Sequence, residues 1–205
     1  MDKKIVAFST LMLIVGFAIG YVASYVGSVE QISDLRNQVS TLQMEKSSLQ
    51  NEVVSLQNQR ANQILGLYFS PKGGCEEQII YWIDKANSSI HVLIYSFTLD
   101  SISNALINAY SRGIEVEVLF EKSEISQYSE YQKLKSIGIS VRNDTNSKLM
   151  HNKIMIVDNL IIATGSYNWS ANAEESNNEN MIVIRSPDIA NTYEEEFTNI
   201  WNNGI

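Results

Sequence analysis

Residues 151–168 read HNKIMIVDNLIIATGSYN and predict a hairpin of two β-strands. In the first strand, which begins near Lys153, side chains point alternately to two faces because strand geometry has a period of two residues. Asp158 and Asn159 form a tight-turn pair, and the run 160–164 supplies the returning strand. The hairpin therefore brings the polar residues at its two ends together.

Four polar side chains converge at that end of the hairpin. His151 and Lys153 share one face of the first strand, and Ser166 and Asn168 return beside them. Such a cluster suits a phosphodiester. The ammonium neutralises a non-bridging oxygen, the hydroxyl and amide donate hydrogen bonds to it, and the imidazole attacks phosphorus or transfers a proton. This chemistry needs no metal ligands, so we expect no cofactor and predict turnover in the presence of a chelator.

The spacing His-x-Lys-x4-Asp-x6-Gly-Ser-x-Asn, from His151 to Asn168, resembles the HKD signature of the phospholipase D superfamily. The resemblance extends from Tyr68 to the end of the sequence. It is strongest to short members with one copy of the motif, namely small bacterial endonucleases and Zucchini-type mitochondrial proteins. The other matching segments are Ile94-Tyr95-Ser96-Phe97-Thr98, Arg112-Gly113-Ile114-Glu115-Val116, Gly138-Ile139-Ser140-Val141-Arg142 and Asn178-Glu179-Asn180.

This resemblance implies a role for each motif residue. In the family, one histidine forms a phosphohistidine and a second histidine, from another copy of the motif, protonates the leaving oxygen. His151 would take both roles, one in each of two protomers. Lys153 and Asn168 would bind phosphate with support from Ser166, and Glu179 would hydrogen-bond the far nitrogen of the imidazole to fix its tautomer.

Asp158 is the remaining motif position and is counted among the candidate catalytic residues. It follows directly on the first strand, so we expect its carboxylate to hold the hairpin rather than to react.

A chain with one motif needs a second copy, and the sequence before the motif contains a heptad repeat that predicts a homodimer. β-Branched residues at a with leucine at d favour parallel two-stranded coiled coils. A single amphipathic helix that lies on the domain is the alternative. The a positions are Ile32, Val39, Lys46 and Val53, and the d positions are Leu35, Leu42, Leu49 and Leu56.

Upstream of the repeat, Ile5 to Gly27 carries no charged residue, and this stretch is long enough to span a bilayer. A cleaved secretory signal is the alternative, although its apolar core is usually shorter. Lys3 and Lys4 precede the segment, so the positive-inside rule predicts a cytoplasmic N-terminus. We therefore expect a single-pass protein of the cell membrane with an extracytoplasmic catalytic domain.

The chain divides into a transmembrane anchor (1–28), a coiled-coil stalk (29–62) and a catalytic domain (63–205). The predicted fold class of the catalytic domain is α/β, a phospholipase D-like mixed sheet flanked by helices. Strands are expected at 66–70, 90–97, 114–120, 139–142, 153–164 (as a hairpin) and 181–186, and helices at 76–87, 101–112, 125–137 and 188–202.

Several residues outside the motif have structural explanations. Cys75 is the one cysteine, so an intrachain disulfide and a cysteine-based zinc site are excluded, while burial and an interchain bridge both remain open. His91 begins a strand and is expected to be structural. Tyr95 is expected to face the core, whereas Tyr167 and Trp169 either pack or line a substrate groove.

The sequence leaves both phospholipid and nucleic acid open as substrates, because one feature of the chain disfavours each of them. Residues 65–205 contain 10 Lys and Arg against 18 Asp and Glu, a field that repels a polyanion. A stalk over 29–60 that stands upright would hold the site roughly 48 Å from its own bilayer. A noncatalytic, membrane-tethered phosphate-binding scaffold is the alternative function. The cations that could form a positively charged entrance to the site are Lys72, Arg142, Lys148 and Lys153.

Overall fold

The structure is a computed structural model that describes the backbone of residues 3–205 and the side chains of residues 12–55 and 62–205. It divides into two units, Met1–Gln57 and Asn58–Ile205. The start of the predicted anchor and the d-position side chain of Leu56 lie outside the described residues.

Helix α1 (Lys3–Ala61) runs without interruption through both the apolar segment and the heptad repeat. Within Met12–Ser55 it includes a window with a mean hydropathy of 1.8, which is long and apolar enough to cross a membrane. Length and composition therefore agree with the predicted anchor.

The heptad positions form an apolar stripe that is 51–62 % exposed at each described Ile, Leu and Val. An isolated helix in water does not gain stability from such a stripe, since helices in proteins are stabilised mainly by burying their apolar face. The parallel coiled coil remains a prediction. The exposed residues are Ile32, Leu35, Val39, Leu42, Leu49 and Val53.

The second unit is built on one seven-stranded mixed sheet in the order β1-β7-β6-β5-β2-β3-β4. β2 runs parallel to β3 and β3 parallel to β4, while the pairs on the other side of β2 are antiparallel. The predicted mixed α/β sheet is confirmed. Its strands are β1 (Gln63–Ser70), β2 (Ser89–Ile94), β3 (Glu115–Phe120), β4 (Ser140–Asn143), β5 (Lys153–Val157), β6 (Ile161–Gly165) and β7 (Glu179–Arg185).

Helices cover both faces of this sheet. The larger apolar core lies between one face of the sheet and helices α2, α3 and α4. The smaller core lies between the other face and α6. Met155 of β5 belongs to the larger core and Ile154 to the smaller one, as the period of two requires. The helices are α2 (Cys75–Lys85), α3 (Asp100–Ser111), α4 (Tyr131–Ile137), α5 (Ala171–Glu175) and α6 (Pro187–Asn203).

The helix predicted over 125–137 is present only in its second half. Only Tyr131–Ile137 is helical, and a short 3-10 helix (Lys122–Glu124) precedes it. The Ser129 hydroxyl donates to the Ser126 carbonyl and accepts from the Ser126 N–H, which forms a local turn instead of a helix. Serine side chains compete with the backbone in this way. Helix α5 was not predicted, because its five residues are too few to show a period.

Cys75 is the first residue of α2 and is fully buried. Burial raises the pKa of its thiol to about 11. A thiol without solvent exposure cannot meet a second chain while this unit is folded, so packing explains Cys75 and an interchain bridge does not.

His91 has the structural role that was predicted for it. Its Nδ1 lies 2.7 Å from the Glu194 carboxylate, and its ring stacks on Phe197 of α6 with 4.7 Å between ring centroids. Although burial opposes it, Glu194 raises the pKa of His91. The pair fixes α6 to β2, in the smaller core.

Candidate active site

The candidate site lies where β5 begins and β2 ends. The Tyr95 N–H donates to the Asn152 carbonyl at 3.0 Å, which continues the pairing of β2 with β5 beyond the strands themselves. This bond places the Tyr95 ring against the imidazole of His151, with 4.4 Å between centroids. His151 itself is exposed, so its imidazole is accessible from solvent.

Lys153 lies beside His151 but is only 7 % exposed. Its Nζ donates to the His151 carbonyl at 2.9 Å and lies 4.6 Å from the centre of the Tyr95 ring. Burial lowers the pKa of Lys153 to about 8, against the opposing charges of Glu179 and Glu124. The site thus holds a desolvated cation next to the imidazole, where its attraction for a phosphate oxygen is strongest.

Asn168 and Ser166 return to this end of the sheet after β6. The Asn168 Oδ1 accepts from the Ser96 N–H at 3.4 Å, so its amide NH2 is the end left to donate to a substrate. The Ser166 hydroxyl donates to the Glu179 carboxylate and accepts from the Asn180 N–H at 3.1 Å. Ser166 therefore braces the start of β7.

Glu179 lies at this same end, but its carboxylate is bound differently from the expectation. It accepts from the Ser166 hydroxyl and, at 3.0 Å, from the Asn177 amide. Among the described residues, none of the hydrogen bonds joins it to His151, so its role in fixing the imidazole tautomer remains a prediction. Its charge does act on Lys153, whose protonated form it favours.

Asp158 lies at the opposite end of β5 from His151. Its carboxylate accepts from the backbone N–H groups of Asn87, Ser88 and Ser89 at 2.7–3.1 Å, and from the Ser88 hydroxyl at 2.9 Å. These bonds tie the β5–β6 turn to the start of β2. Asp158 has the hairpin-holding position that we expected and lies away from the other motif residues.

Asp158→Asn is expected to destabilise the domain by about 1–3 kcal/mol, because the amide replaces one acceptor oxygen with a donor that faces N–H groups. Hydrogen bonds from Ser88, Ser89 and Asn87 lower the pKa of Asp158 although burial opposes them. The stability that this carboxylate contributes is thus present above its unfolded pKa of about 3.9 and is lost as pH falls through its folded pKa.

Denaturant unfolding followed by fluorescence measures this effect, since the three tryptophans Trp82, Trp169 and Trp201 all belong to the second unit. Turnover per folded molecule should stay near that of the parent. A large loss of turnover at unchanged stability would assign Asp158 to the chemistry instead.

Two residues near the site were not predicted. Tyr95 was expected to face the core, but it is partly exposed and contacts His151 and Lys153. Burial raises the pKa of Tyr95, and so does the nearby carboxylate of Glu124 from the short 3-10 helix. The sequence could have indicated Tyr95 as a site residue, because it directly follows β2. No sequence pattern indicates Glu124.

Tyr167 and Trp169 are buried in the larger core, each 2 % exposed, so they pack rather than line a groove. The Tyr167 hydroxyl donates to Glu174 at 2.6 Å, and burial together with that carboxylate raises the pKa of Tyr167. These aromatic residues hold the segment that carries Asn168.

The cations are arranged differently from the positively charged entrance to the site that the sequence predicted. Arg142 donates to the Trp201 carbonyl at 2.7 Å and lies over the Trp201 ring, which makes it part of the fold. Lys148 instead lines a cavity of about 640 Å³ with Lys122. A second cavity, of about 540 Å³, includes His151 and is otherwise lined by the 144–152 loop and the end of α6.

A family model described as "Cardiolipin synthase, PLD-like domain" matches residues 79–201, which is more than half of the chain. A phospholipase D from Rickettsia conorii is 36 % identical over 132 residues, which cover 64 % of this chain and 66 % of that protein. The chain thus spans just under two thirds of the length of this relative. A mitochondrial cardiolipin hydrolase from Xenopus tropicalis is 31 % identical over 118 residues, 57 % of this chain and 56 % of that one.

The fold has a solved counterpart as well. The crystal structure of Nuc, a phospholipase D family member from Salmonella typhimurium, superposes with a TM-score of 0.67 at 32 % sequence identity. The match covers 70 % of this chain and 97 % of that one.

Proposed function

The chain belongs to the phospholipase D superfamily through its PLD-like domain, and from this we propose that it is a metal-independent hydrolase of phosphodiester bonds. The observation that carries the proposal is the exposed imidazole of His151 beside the buried ammonium of Lys153, at one end of the sheet. A nucleophile next to a desolvated cation is the arrangement that displacement at phosphorus requires.

The proposed reaction has two steps. A neutral His151 attacks phosphorus, the bond to the leaving alcohol breaks, and a second, protonated imidazole donates its proton to that alcohol. Water then attacks the phosphohistidine and gives its proton to the second imidazole, which restores both groups. Lys153 and the Asn168 amide stabilise the charge on the non-bridging oxygens in both steps.

The second imidazole must come from a second copy of the chain. The sequence contains two histidines, and His91 is held by Glu194 and Phe197 in the smaller core. We therefore propose a homodimer whose composite site contains His151 from each protomer. The exposed heptad stripe of α1 supports a parallel coiled-coil contact, and Leu67 and Phe69 of β1, each 60 % exposed, offer apolar surface for a contact between catalytic domains.

Co-expression of equal amounts of the parent and His151→Ala chains is expected to leave about a quarter of the parental activity, because only pairs with two intact imidazoles turn over. The pooled full-length protein is assayed and its subunit ratio is measured by mass spectrometry. Independent one-chain sites would retain about half, which is the result that contradicts a composite site.

Two substrate classes fit this chemistry, phospholipids and nucleic acids. The relatives named above include a phospholipase D and a cardiolipin hydrolase. Lys122 and Lys148, which line one cavity near the site, supply cations for a further phosphate, while the net charge of −8 disfavours tracking along a long polyanion. The shared element is a single phosphodiester bound at Lys153.

The alternative function is a noncatalytic, membrane-tethered scaffold that binds phosphate. A binding site has no need for a nucleophile, and His151 is both present and exposed.

We propose a single-pass location in the cell membrane, with the N-terminus cytoplasmic and the catalytic domain outside. Protease digestion of intact cells tests this orientation, because a protected domain would reverse it.

The test of the proposed function is an assay of the full-length protein with a chromogenic phosphodiester, single-stranded DNA, RNA and phospholipid vesicles, all with a chelator present. Turnover of the chromogenic diester supports the enzyme, and the preferred natural polymer or lipid identifies its substrate class. Turnover that a chelator abolishes and added metal restores would overturn the metal-independent mechanism.

A further inference from the structure

A fully buried carboxylate, Glu121, lies directly after β3 and beside the candidate site. Its side chain has no solvent exposure, and its backbone N–H donates to the Ile94 carbonyl at the end of β2. A buried charge is costly unless hydrogen bonds compensate for its lost hydration. Glu121 takes no part in the proposed reaction, so its bonds require another explanation.

Both oxygens of this carboxylate accept hydrogen bonds. Oε1 accepts from the Ser123 N–H at 3.0 Å and from the Ser123 hydroxyl at 2.7 Å. Oε2 accepts from the Met150 N–H at 2.7 Å. Burial opposes ionisation, but the bonds from Ser123 and Met150 lower the pKa of Glu121 overall. The side chain is therefore an ionised acceptor that joins two segments distant in sequence.

The bond to Met150 bears directly on His151, which is the next residue. On its other side, the Asn152 carbonyl accepts from the Tyr95 N–H at 3.0 Å. The backbone is thus tied on both sides of the imidazole, by Glu121 before it and by Tyr95 after it. The Met150 side chain is buried in the smaller core, whereas the preceding residues 145–149 are exposed.

We propose that Glu121 is a positioning residue that sets the backbone of His151 at the angle needed for attack on phosphorus. This inference rests on the proposed function, since it concerns the same nucleophile. It adds a residue that touches neither substrate nor phosphorus and acts through the Met150 N–H alone.

Glu121→Gln is the decisive variant. Glutamine is nearly isosteric, but one end of its amide is a donor, which must face the N–H of either Met150 or Ser123. The repulsion shifts the start of the His151 segment, and a displacement of about 1 Å can lower a rate about 100-fold. We expect kcat on the chromogenic diester to fall about 10- to 100-fold, with KM nearly unchanged because Lys153 and Asn168 are untouched.

Two further variants separate position from charge and from general packing. Glu121→Asp keeps the charge but is one methylene shorter, so its kcat should lie between those of the parent and Glu121→Gln. Ser123→Ala removes a hydroxyl donor from Oε1 and leaves the bond to Met150, so its kcat should stay within about threefold of the parent.

A structural readout independent of turnover is available, because the chain contains two histidines. In full-length protein labelled with ¹³C-histidine and held in detergent micelles, NMR resolves the two rings. Glu121→Gln should shift the His151 ring resonances. The His91 resonances should stay in place, since that ring stacks on Phe197 and pairs with Glu194 of α6, and they report that the fold is intact.

The outcomes divide clearly. A folded Glu121→Gln variant with parental kcat and unmoved His151 resonances overturns the proposal. If Glu121→Gln loses the His91 signal, Glu121→Asp decides, and the same loss there also overturns it, because the carboxylate would then hold the fold as a whole. An inactive parent with a shifted His151 ring in Glu121→Gln would instead refute the proposed function and leave the positioning role standing.

Discussion

His151→Ala is expected to lower turnover of a chromogenic phosphodiester by about 10⁴-fold or more while leaving the domain folded. In a composite site, the substitution removes the nucleophile and the proton donor together. His151 is exposed and contributes little buried surface, so stability should change by less than about 1 kcal/mol. Steady-state kinetics and tryptophan fluorescence measure the two effects on the same full-length protein.

His91→Gln is the matched control for this substitution. It also removes a histidine, but one that pairs with Glu194 at 2.7 Å in the smaller core. It should destabilise the domain and leave turnover per folded molecule near the parental value. When the turnover reaction is quenched rapidly without acid, the parent protein should carry a covalently bound phosphoryl group and the His151→Ala protein should not. Comparable turnover in His151→Ala would remove the nucleophile from the mechanism and favour the scaffold.

Lys153→Met is expected to lower turnover by about 10³-fold, because a neutral side chain cannot stabilise charge on the phosphate oxygens. In the parent, kcat should fall as pH rises above about 8, where the buried ammonium loses its proton. Lys153→Arg supplies the control: a guanidinium stays charged at these pH values, so its residual activity should lack the fall. A parental rate in Lys153→Met would contradict phosphate binding by this residue.

Stability provides an independent check of the same group. Burial lowers the pKa of Lys153 to about 8 from its ordinary value of 10.5, so the unfolded chain binds more protons between these values. The free energy of unfolding should therefore rise with pH across that window, by at most about 1.4 kcal/mol per pH unit from this residue, and the cost of burying the charge is fully present below it. Lys153→Met should lack this rise when denaturant unfolding is compared at several pH values.

The hairpin and its neighbours were predicted well because local pattern and tertiary packing agree there. Five consecutive residues of β5 are buried on both faces, and the turn is formed by Asp158 and Asn159, whose positive φ angles suit a tight turn. The 125–137 segment failed for the opposite reason. Its apolar spacing resembles a helix, but the bonds between Ser126 and Ser129 stabilise a turn at its start.

The sequence by itself determined the mixed α/β sheet, the membership in the superfamily and the identity of the motif residues, because the period of strands and the spacing of the motif are local properties of the chain. Tertiary structure alone decided what surrounds them. The pairing of β2 with β5 brings Tyr95 to His151, and the end of β3 brings Glu121 to Met150 across 29 positions. Such contacts, and the burial that lowers the pKa of Lys153, depend on which distant segments meet, and no local pattern records that.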